Sequence, residues 1–447
     1  MSRIDFSQPR RQSAKGLILI FLQEGKNAFK AFWPILVPLV LSKHSDKKML
    51  LAGITLGAGL VLLLIHTLLY YRKFQFHIEN GQFILRKGYI NRKTLTIPLD
   101  RIQNVNTNQS ILQQFLDVMS VEIDTAGSDK KELKINALSK PVAASLAMQL
   151  SRYLEEAKPA GEESEVKPAA KEELIMQLTN RDLLRIGISE NHIRAALLII
   201  VFGSQFYSQV KDFFKEKAEE YADAAFEFIG HSGWALITVM IIFFILLSFL
   251  FSMIRTLVLF YDLRLLRMNQ SYRIVSGLLN RKNLLIPFRK IQQLNWETGP
   301  VKKLFGIYKV NLLQATSGVT VTPTQIEMPG CLHRHIELMK SDLFGSDGLQ
   351  EQPVIRSTKI YFTRTWLYLG WVPAGLFTPL LFLDWRYLFL LIAWVIFMLF
   401  YSRQTLKKSY FQVNRDQIRV SSGAISHKFS QMEFHKVQHV GFTQSWF

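Results

Sequence analysis

Gly88-Tyr-Ile-Asn-Arg-Lys-Thr-Leu-Thr-Ile-Pro-Leu-Asp-Arg-Ile-Gln-Asn-Val105 returns without a gap as Gly277-Leu-Leu-Asn-Arg-Lys-Asn-Leu-Leu-Ile-Pro-Phe-Arg-Lys-Ile-Gln-Gln-Leu294. It returns again, more diverged, as Gly423-Ala-Ile-Ser-His-Lys-Phe-Ser-Gln-Met-Glu-Phe-His-Lys-Val-Gln-His-Val440. Self-similarity of this kind names a repeated structural unit without help from relatives. Each copy stands just after an apolar hairpin. The repeating unit is therefore a pair of membrane helices followed by a β-rich domain, a spacing too long for a solenoid of short repeats.

The positions shared by the copies have physical roles. Gly88, Gly277 and Gly423 permit a tight turn, and Pro98 and Pro287 must sit at a strand end because they lack the ladder donor. Ile102-Gln103, Ile291-Gln292 and Val437-Gln438 recur at the same offset as structural positions of the motif. Upstream, Phe74 to Glu79 and Gln82 to Lys87 flank Asn80-Gly81, a two-residue hairpin signal. Downstream, Val118 to Thr125 and Glu132 to Asn136 read as further strands around an Ala126-Gly-Ser-Asp129 turn, with a closing amphipathic helix from Pro141 to Leu154. The second unit repeats the order and ends in a helix from about Pro329 to Leu343. Short antiparallel strands capped by one C-terminal helix outline a pleckstrin-homology (PH) barrel.

The apolar segments form three pairs. Met49 to Tyr71 and Trp234 to Ile254 carry no formal charge and are long enough to cross about 30 Å of hydrocarbon. Ile193 to Val210, Trp366 to Leu383 and Trp385 to Tyr401 are shorter, with Trp and Tyr near their ends as interfacial anchors. Ala28 to Leu41 is short and contains Lys30, Pro34 and Pro38. The three hairpin loops, 42–48, 211–233 and the turn at Asp384, carry +2, −3 and 0. Of the formal net charge of +19, about +20 thus falls on the opposite side, which the positive-inside rule makes cytoplasmic. The fold expected is a mixed α and β membrane protein: three repeats of a transmembrane helical hairpin followed by a PH-like antiparallel β domain with a C-terminal helix, the third β domain incomplete.

The boundaries expected are an N-terminal segment and first hairpin (1–71), a first PH-like domain (72–154) and an acidic linker (155–177). An interfacial helix and second hairpin (178–261) follow, then a second PH-like domain (262–343), a linker (344–364), a third hairpin (365–401) and a partial third domain (402–447). By the length of the first unit, about half of the third β domain is present, so it is either truncated or needs a partner strand.

The Gly-x-x-x-Arg/His-x-x-x-Ile-Pro-x-x-x-Ile-Gln-x-Val pattern and the hairpin-plus-domain repeat resemble bacterial membrane proteins with PH-like domains, the YdbT type. Arg92, Arg281 and His427 fill the basic slot. The third copy departs from the pattern, with Met432-Glu433 in place of Ile-Pro. The resemblance covers nearly the whole chain, and its family carries no settled activity.

Bulk properties agree with a mixed architecture. The chain has 447 residues, 49% of them apolar, and a mean hydropathy of +0.12, too apolar for an ordinary soluble enzyme and too charged for a pure transporter bundle. A single cysteine, Cys331, excludes an intrachain disulfide and a Cys-rich metal site. Glu155 to Glu173 reads as a solvated linker. Leu178 to Gly187 reads as a short interfacial helix capped by Asn180, with Arg181 and Arg185 toward phosphates.

Candidate functional residues cluster at the repeated glycine: Arg86, Lys87, Arg92 and Lys93 in the first copy, Arg281 and Lys282 in the second, and Lys428 beside His427 in the third. Their charge suits anionic lipid headgroups, at about 1 kcal/mol per cation. The plainer alternative is that positive-inside bias leaves solvated basic side chains there. His333, His335, His435 and His439 lack the third and fourth ligands that a metal needs. Among the apolar segments His66 is the central ionisable group, a proton relay or a packing histidine. No nucleophile elbow, phosphate loop or zinc-helix pattern appears, so an enzyme is not expected and no cofactor is implied. The basic excess lacks a nucleic-acid recognition pattern. The expected partners are the bilayer and a protein or peptide, with homo-oligomers in view. The function expected is an envelope scaffold or stress-response component, and the alternative is part of a transporter or exporter, for instance of antimicrobial peptides.

Overall fold

The computed structural model describes residues 4–41, 46–125, 133–156, 172–190, 242–314, 324–345, 352–382 and 387–437, with isolated positions between them. The first copy supplies β1 (Gln75–Glu79), β2 (Gln82–Lys87), β3 (Lys93–Pro98), β4 (Ile102–Gln109), β5 (Val118–Thr125) and β6 (Leu133–Ser139). Strand β7 (Glu173–Gln177) follows, at the end of the stretch read as an acidic linker. The second copy supplies β8 (Arg264–Met268), β9 (Ser271–Ser276), β10 (Arg281–Pro287), β11 (Ile291–Thr298), β12 (Tyr308–Gln314) and β13 (Thr324–Cys331). After β14 (Ile355–Arg356), the third supplies β15 (Tyr410–Val413), β16 (Gln417–Ser422) and β17 (His427–Glu433).

Each full copy is thus two three-stranded halves. The joint is the repeated Ile-Pro-x-x-x-Ile-Gln: a strand ends at Pro98 or Pro287, a 3-10 turn follows (Leu99–Arg101, Phe288–Lys290), and the next strand enters with a register shift at Ile102/Asn104 or Ile291/Gln293. Proline removes a ladder donor and the shifted residue bends the strand, so the chain can leave one sheet and join another. Glu433 lacks proline's constraint, yet the Phe434–Lys436 turn forms there with the Lys436 ammonium 2.6 Å from the Glu433 carboxylate.

The strands form one three-stranded sheet and two seven-stranded sheets. The three-stranded sheet is β1-β2-β3. One seven-stranded sheet runs β6-β5-β4-β10-β9-β8-β7, and the other runs β13-β12-β11-β17-β16-β15-β14. The two halves of the first copy share one apolar core, as the PH-like reading expects, and in addition the second half of each full copy pairs with the first half of the next, through Arg281↔Gln109 to Asn283↔Thr107 and through His427↔Thr298 to Met432↔Gln293. The partial third copy has its place here: its three strands complete the sheet begun by β11-β12-β13.

The first unit has an apolar core. Phe76, Phe83 and Leu85 from β1 and β2 meet Ile102, Ile123 and Ile135 from the second half, and Leu146 and Leu150 of the helix Lys140–Glu156 close it. The N-terminal segment seals the edge of β1: Arg10 and Phe76 exchange backbone N–H···O bonds of 2.9 Å, and Ile78 N donates to Phe6 O at 2.7 Å. Phe6 is buried beside Phe76. The second unit is more polar inside. Trp296 stacks on Phe429 at 5.2 Å, and the Arg419 guanidinium donates to Gln431 Oε1, whose amide donates to Gln417 Oε1 at 2.9 Å.

Among the described residues, three helices are long and apolar enough to cross a membrane: Gly53–Lys73, Ile242–Phe260 and Tyr387–Lys408. The weak segment at Ala28 is the end of a continuous helix Gly16–Leu41, 26 residues and about 39 Å long, in which a Cβ at Gly25 would stand 3.5 Å from Leu63 Cδ2 of the adjoining helix Asp46–Lys73. Trp366 to Leu383 is a broken helix, α over Lys359–Trp366, π over Leu367–Trp371, α over Val372–Phe377 and 3-10 over Thr378–Phe382. Most of 193–210, the loop 211–233 and the turn at 126–129 lie outside the described residues.

Three local expectations change. The helix expected from Pro329 begins at His333, because Pro329 and Cys331 still pair with β12 and Gly330 between them takes φ +80°. The helix expected from Leu178 runs Asn180–Ser189, and Thr179, not Asn180, caps it: its hydroxyl accepts from Asp182 N, and the Asp182 carboxylate accepts from Thr179 N. Leu183, Ile186 and Gly187 of this helix are buried against protein, with Gly187 on Met253, where an interfacial helix would show them to lipid.

Candidate membrane-facing site

The chain leaves the helix at Lys73 and starts β1 at Gln75, so β1 begins at the end of a span. Antiparallel pairing sets Gln75 opposite Arg86 and carries β2 back to that end, so the turn from Lys87 to Lys93 returns beside it. The third copy repeats the geometry: the span ends at Lys408, Tyr410 pairs with Ser421, and the Lys408 ammonium donates to the carbonyls of Ala424 and Ile425 within the turn. A membrane helix feeding a hairpin thus sets the repeated turn next to the span.

The turn itself needs its glycine. Gly88, Gly277 and Gly423 have φ of +89°, +105° and +106°, and a Cβ on each would overlap the carbonyl oxygen of Asn91, Asn280 or Ser426. The chain folds so tightly there that positions four and five beyond the glycine, Arg92-Lys93, Arg281-Lys282 and His427-Lys428, project from the strand leaving the turn.

Arg86, Arg92, Lys93, Arg281 and Lys282 are exposed, and Lys87 is half-buried. Lys428 is exposed and lies 3.7 Å from Glu297 of the neighbouring strand, so its charge is partly engaged. His427 is half-buried, with Nε2 2.7 Å from Ser421 Oγ; burial first, and the Lys408 and Lys303 ammonium groups after it, hold its pKa below the usual imidazole range. Ile102 and Ile291 are buried core residues, as the motif requires. Gln103 and Gln292 stand in β4 and β11, Val437 follows the last 3-10 turn, and Gln438 lies outside the described residues.

Sequence reading missed the apolar company of these cations. Ile90 at the first turn is 85% exposed. The second turn rests on the short helix Ile111–Phe115, whose Gln114 donates through Nε2 to Leu278 O and Leu279 O; Phe115 there is 88% exposed. The equivalent helix Pro300–Leu304 presents Leu304, 84% exposed, and its Lys302 meets Glu190 at 3.3 Å, at the end of the helix that leads into the next apolar segment. Exposed apolar tips beside cations have the chemistry of a bilayer interface, apolar atoms toward the acyl boundary and cations toward phosphates. The signal was the isolated apolar residue beside each short helix, which a search for charge alone passes over.

The other candidates go elsewhere. His66 Nδ1 lies 2.9 Å from the Tyr89 hydroxyl, so its partner is the turn itself. His335 Nδ1 accepts from Leu332 N at 3.2 Å and caps a helix; burial, then Arg334, lowers its pKa. His333 pairs with Glu337 and His435 with Glu433, His439 lies outside the described residues, and among the described residues no three metal-ligating side chains come together. Cys331 is fully buried and its thiol pKa is pushed up to about 12 by that burial. A cleft of about 70 Å³, lined by Gln12, Glu24, Tyr70, Lys87 and Asn136 among others, has room for a few waters.

The Bacterial PH domain family model matches this chain three times, over residues 30–154, 214–340 and 367–447. The chain is 23% identical over 325 residues to the UPF0699 transmembrane protein YdbT of Bacillus subtilis (strain 168), an overlap of 70% of this chain and 64% of that one. The chain thus spans a little under two thirds of that relative's length. No solved structure matches. With a repeat set behind apolar spans and a family model covering most of its length, the chain belongs to the Bacterial PH domain family as a membrane protein with three copies of the domain.

Proposed function

We propose that this is a non-enzymatic, multi-pass protein of the bacterial cytoplasmic membrane, an envelope scaffold whose PH-like units face the cytosol and engage anionic lipid headgroups through their basic turns. The observation that carries the reading is the pairing of Gln75 with Arg86, which returns Arg86, Lys87, Arg92 and Lys93 to the end of the span at Lys73. Cations held there are worth about 1 kcal/mol each against an anionic leaflet, and the exposed Ile90 adds an apolar contact. The cytosolic orientation rests on the charge bias of the loops.

The test uses the full chain reconstituted into vesicles of neutral lipid and of neutral lipid mixed with phosphatidylglycerol. Amide exchange at 86–93 should be slower in the anionic vesicles, and R86Q/K87Q/R92Q/K93Q should abolish the difference while leaving exchange in the Phe83 core strand unchanged. Equal exchange of the native turn in both vesicles overturns the lipid reading.

A further inference from the structure

The small cleft around Gln12 lies wholly within the first compact unit. Four segments meet at it: the chain entering helix Gly16–Leu41, the end of the span at Lys73, the end of β2 and the strand β6. Glu24 stands about one helical turn before the apolar segment that begins at Ala28, and Tyr70 about one turn before Lys73. The cleft therefore sits where both helices pass from hydrocarbon to headgroups.

Its polar groups do not satisfy one another. Gln12 is 5% exposed, and its Oε1 has no hydrogen-bond partner among the described residues. A buried acceptor in that state is costly unless a donor reaches it from outside the chain. Glu24 and Lys87 are half-buried, and neither has an ion pair among the described residues. The other cation of the lining, Lys134, is taken up by Glu122 at 2.6 Å. What remains is a carboxylate, an ammonium group and a bare amide oxygen. Tyr70 and Phe74 add aromatic rings to the wall, and a ring face attracts a cation.

A ligand that answers this set carries a cation with N–H donors and, a short arm away, an anion. The donors go to Glu24 and Gln12 Oε1, and the anion goes to Lys87. Space limits the arm, because about 70 Å³ holds a few waters, or an aminoethyl group, and excludes a sugar or a peptide. We propose that the cleft binds an ethanolamine phosphate group, carried by phosphatidylethanolamine or free as phosphoethanolamine. Choline phosphate has the charge without an N–H to give, and glycerol phosphate brings no cation for Glu24. Lys87 also belongs to the basic turn, but the selectivity here is for an amine on a headgroup of no net charge, so the proposal does not rest on the anionic-lipid reading.

The full chain, purified in detergent, is titrated with dihexanoyl-phosphatidylethanolamine and with dihexanoyl-phosphatidylcholine while thermal unfolding and amide exchange are followed. The two lipids share their chains and net charge, so anionic contacts at the basic turn do not enter the comparison. The ethanolamine lipid should raise the unfolding midpoint and bind about tenfold more tightly than the choline lipid, the difference that one charge-assisted hydrogen bond makes. It should also slow exchange around Gln12 and Asn136. Glu24→Gln and Gln12→Leu should each remove most of the preference. The unliganded midpoints show whether these variants fold, and the native chain decides the matter if one does not. Free phosphoethanolamine separates the sources: stabilisation by it at the lipid's concentration assigns a soluble ligand, stabilisation by the lipid alone assigns the membrane, and either upholds the site. Equal binding of the two lipids overturns the proposal. So does inorganic phosphate stabilising the chain as strongly as the ethanolamine lipid, or a preference that survives in both folded variants.

Discussion

Gly277 shows how a single atom can hold the functional surface in place. Its φ of +105° alone disfavours any side chain, and an added Cβ would also overlap the carbonyl of Asn280. Gly81 has a positive φ of +70° with open space around it, so it separates the two penalties. Gly81→Ala should cost about 1 kcal/mol of stability for the left-handed conformation, and Gly277→Ala clearly more, since the turn must also reopen. Thermal unfolding of the purified full chain in detergent measures both; equal losses would mean that the Asn280 contact plays no part. The glycines were legible in the sequence because a turn signal recurs three times at the same offset. Phe115 and Leu304 were not, because an isolated apolar residue gains meaning only when the structure shows it uncovered.

At the scale of elements, the hairpin Asn80-Gly81 and strand β5 stand where turn chemistry and apolar alternation put them, with Glu79 opposite Gln82 and β5 over Val118–Thr125. Strand partners were not readable. Periodicity tells a strand which face is buried, but it does not say whether Arg281 lies beside Gln109 of its neighbour or a strand of its own copy. The proline at the joint was correctly read as a strand end, and its larger consequence, a change of sheet, needed the coordinates. The third-copy joint also carries a pH signature. With the His427 pKa lowered in the folded protein, the folded state disfavours the extra proton. Its contribution is complete above the unfolded value of about 6.5 and is lost as pH falls below it. Burial lowers His335 in the same direction. Stability measured by thermal unfolding should therefore decline on acidification from about pH 6.5 toward 5, and His427→Gln should flatten part of that slope; an unchanged slope would remove His427 from the account.

For the molecule as a whole, the three repeats are continuous in sequence but staggered in structure, each full copy lending half of itself to a neighbour's sheet. The composition fixed the membrane class, and the +20 bias of the loops fixed the expected orientation, since both depend only on which residues are present and where the spans fall. The central claim is that paired spans return the chain so that every basic turn meets the same leaflet. Cysteines at Gln82, Gln270 and Arg415, exposed residues at the hairpin ends of the three copies, put that claim to the test against the buried Cys331. An impermeant maleimide should leave all three unlabelled in intact cells and label all three in inside-out vesicles. Labelling of any one of them from the opposite side to the other two would contradict the account.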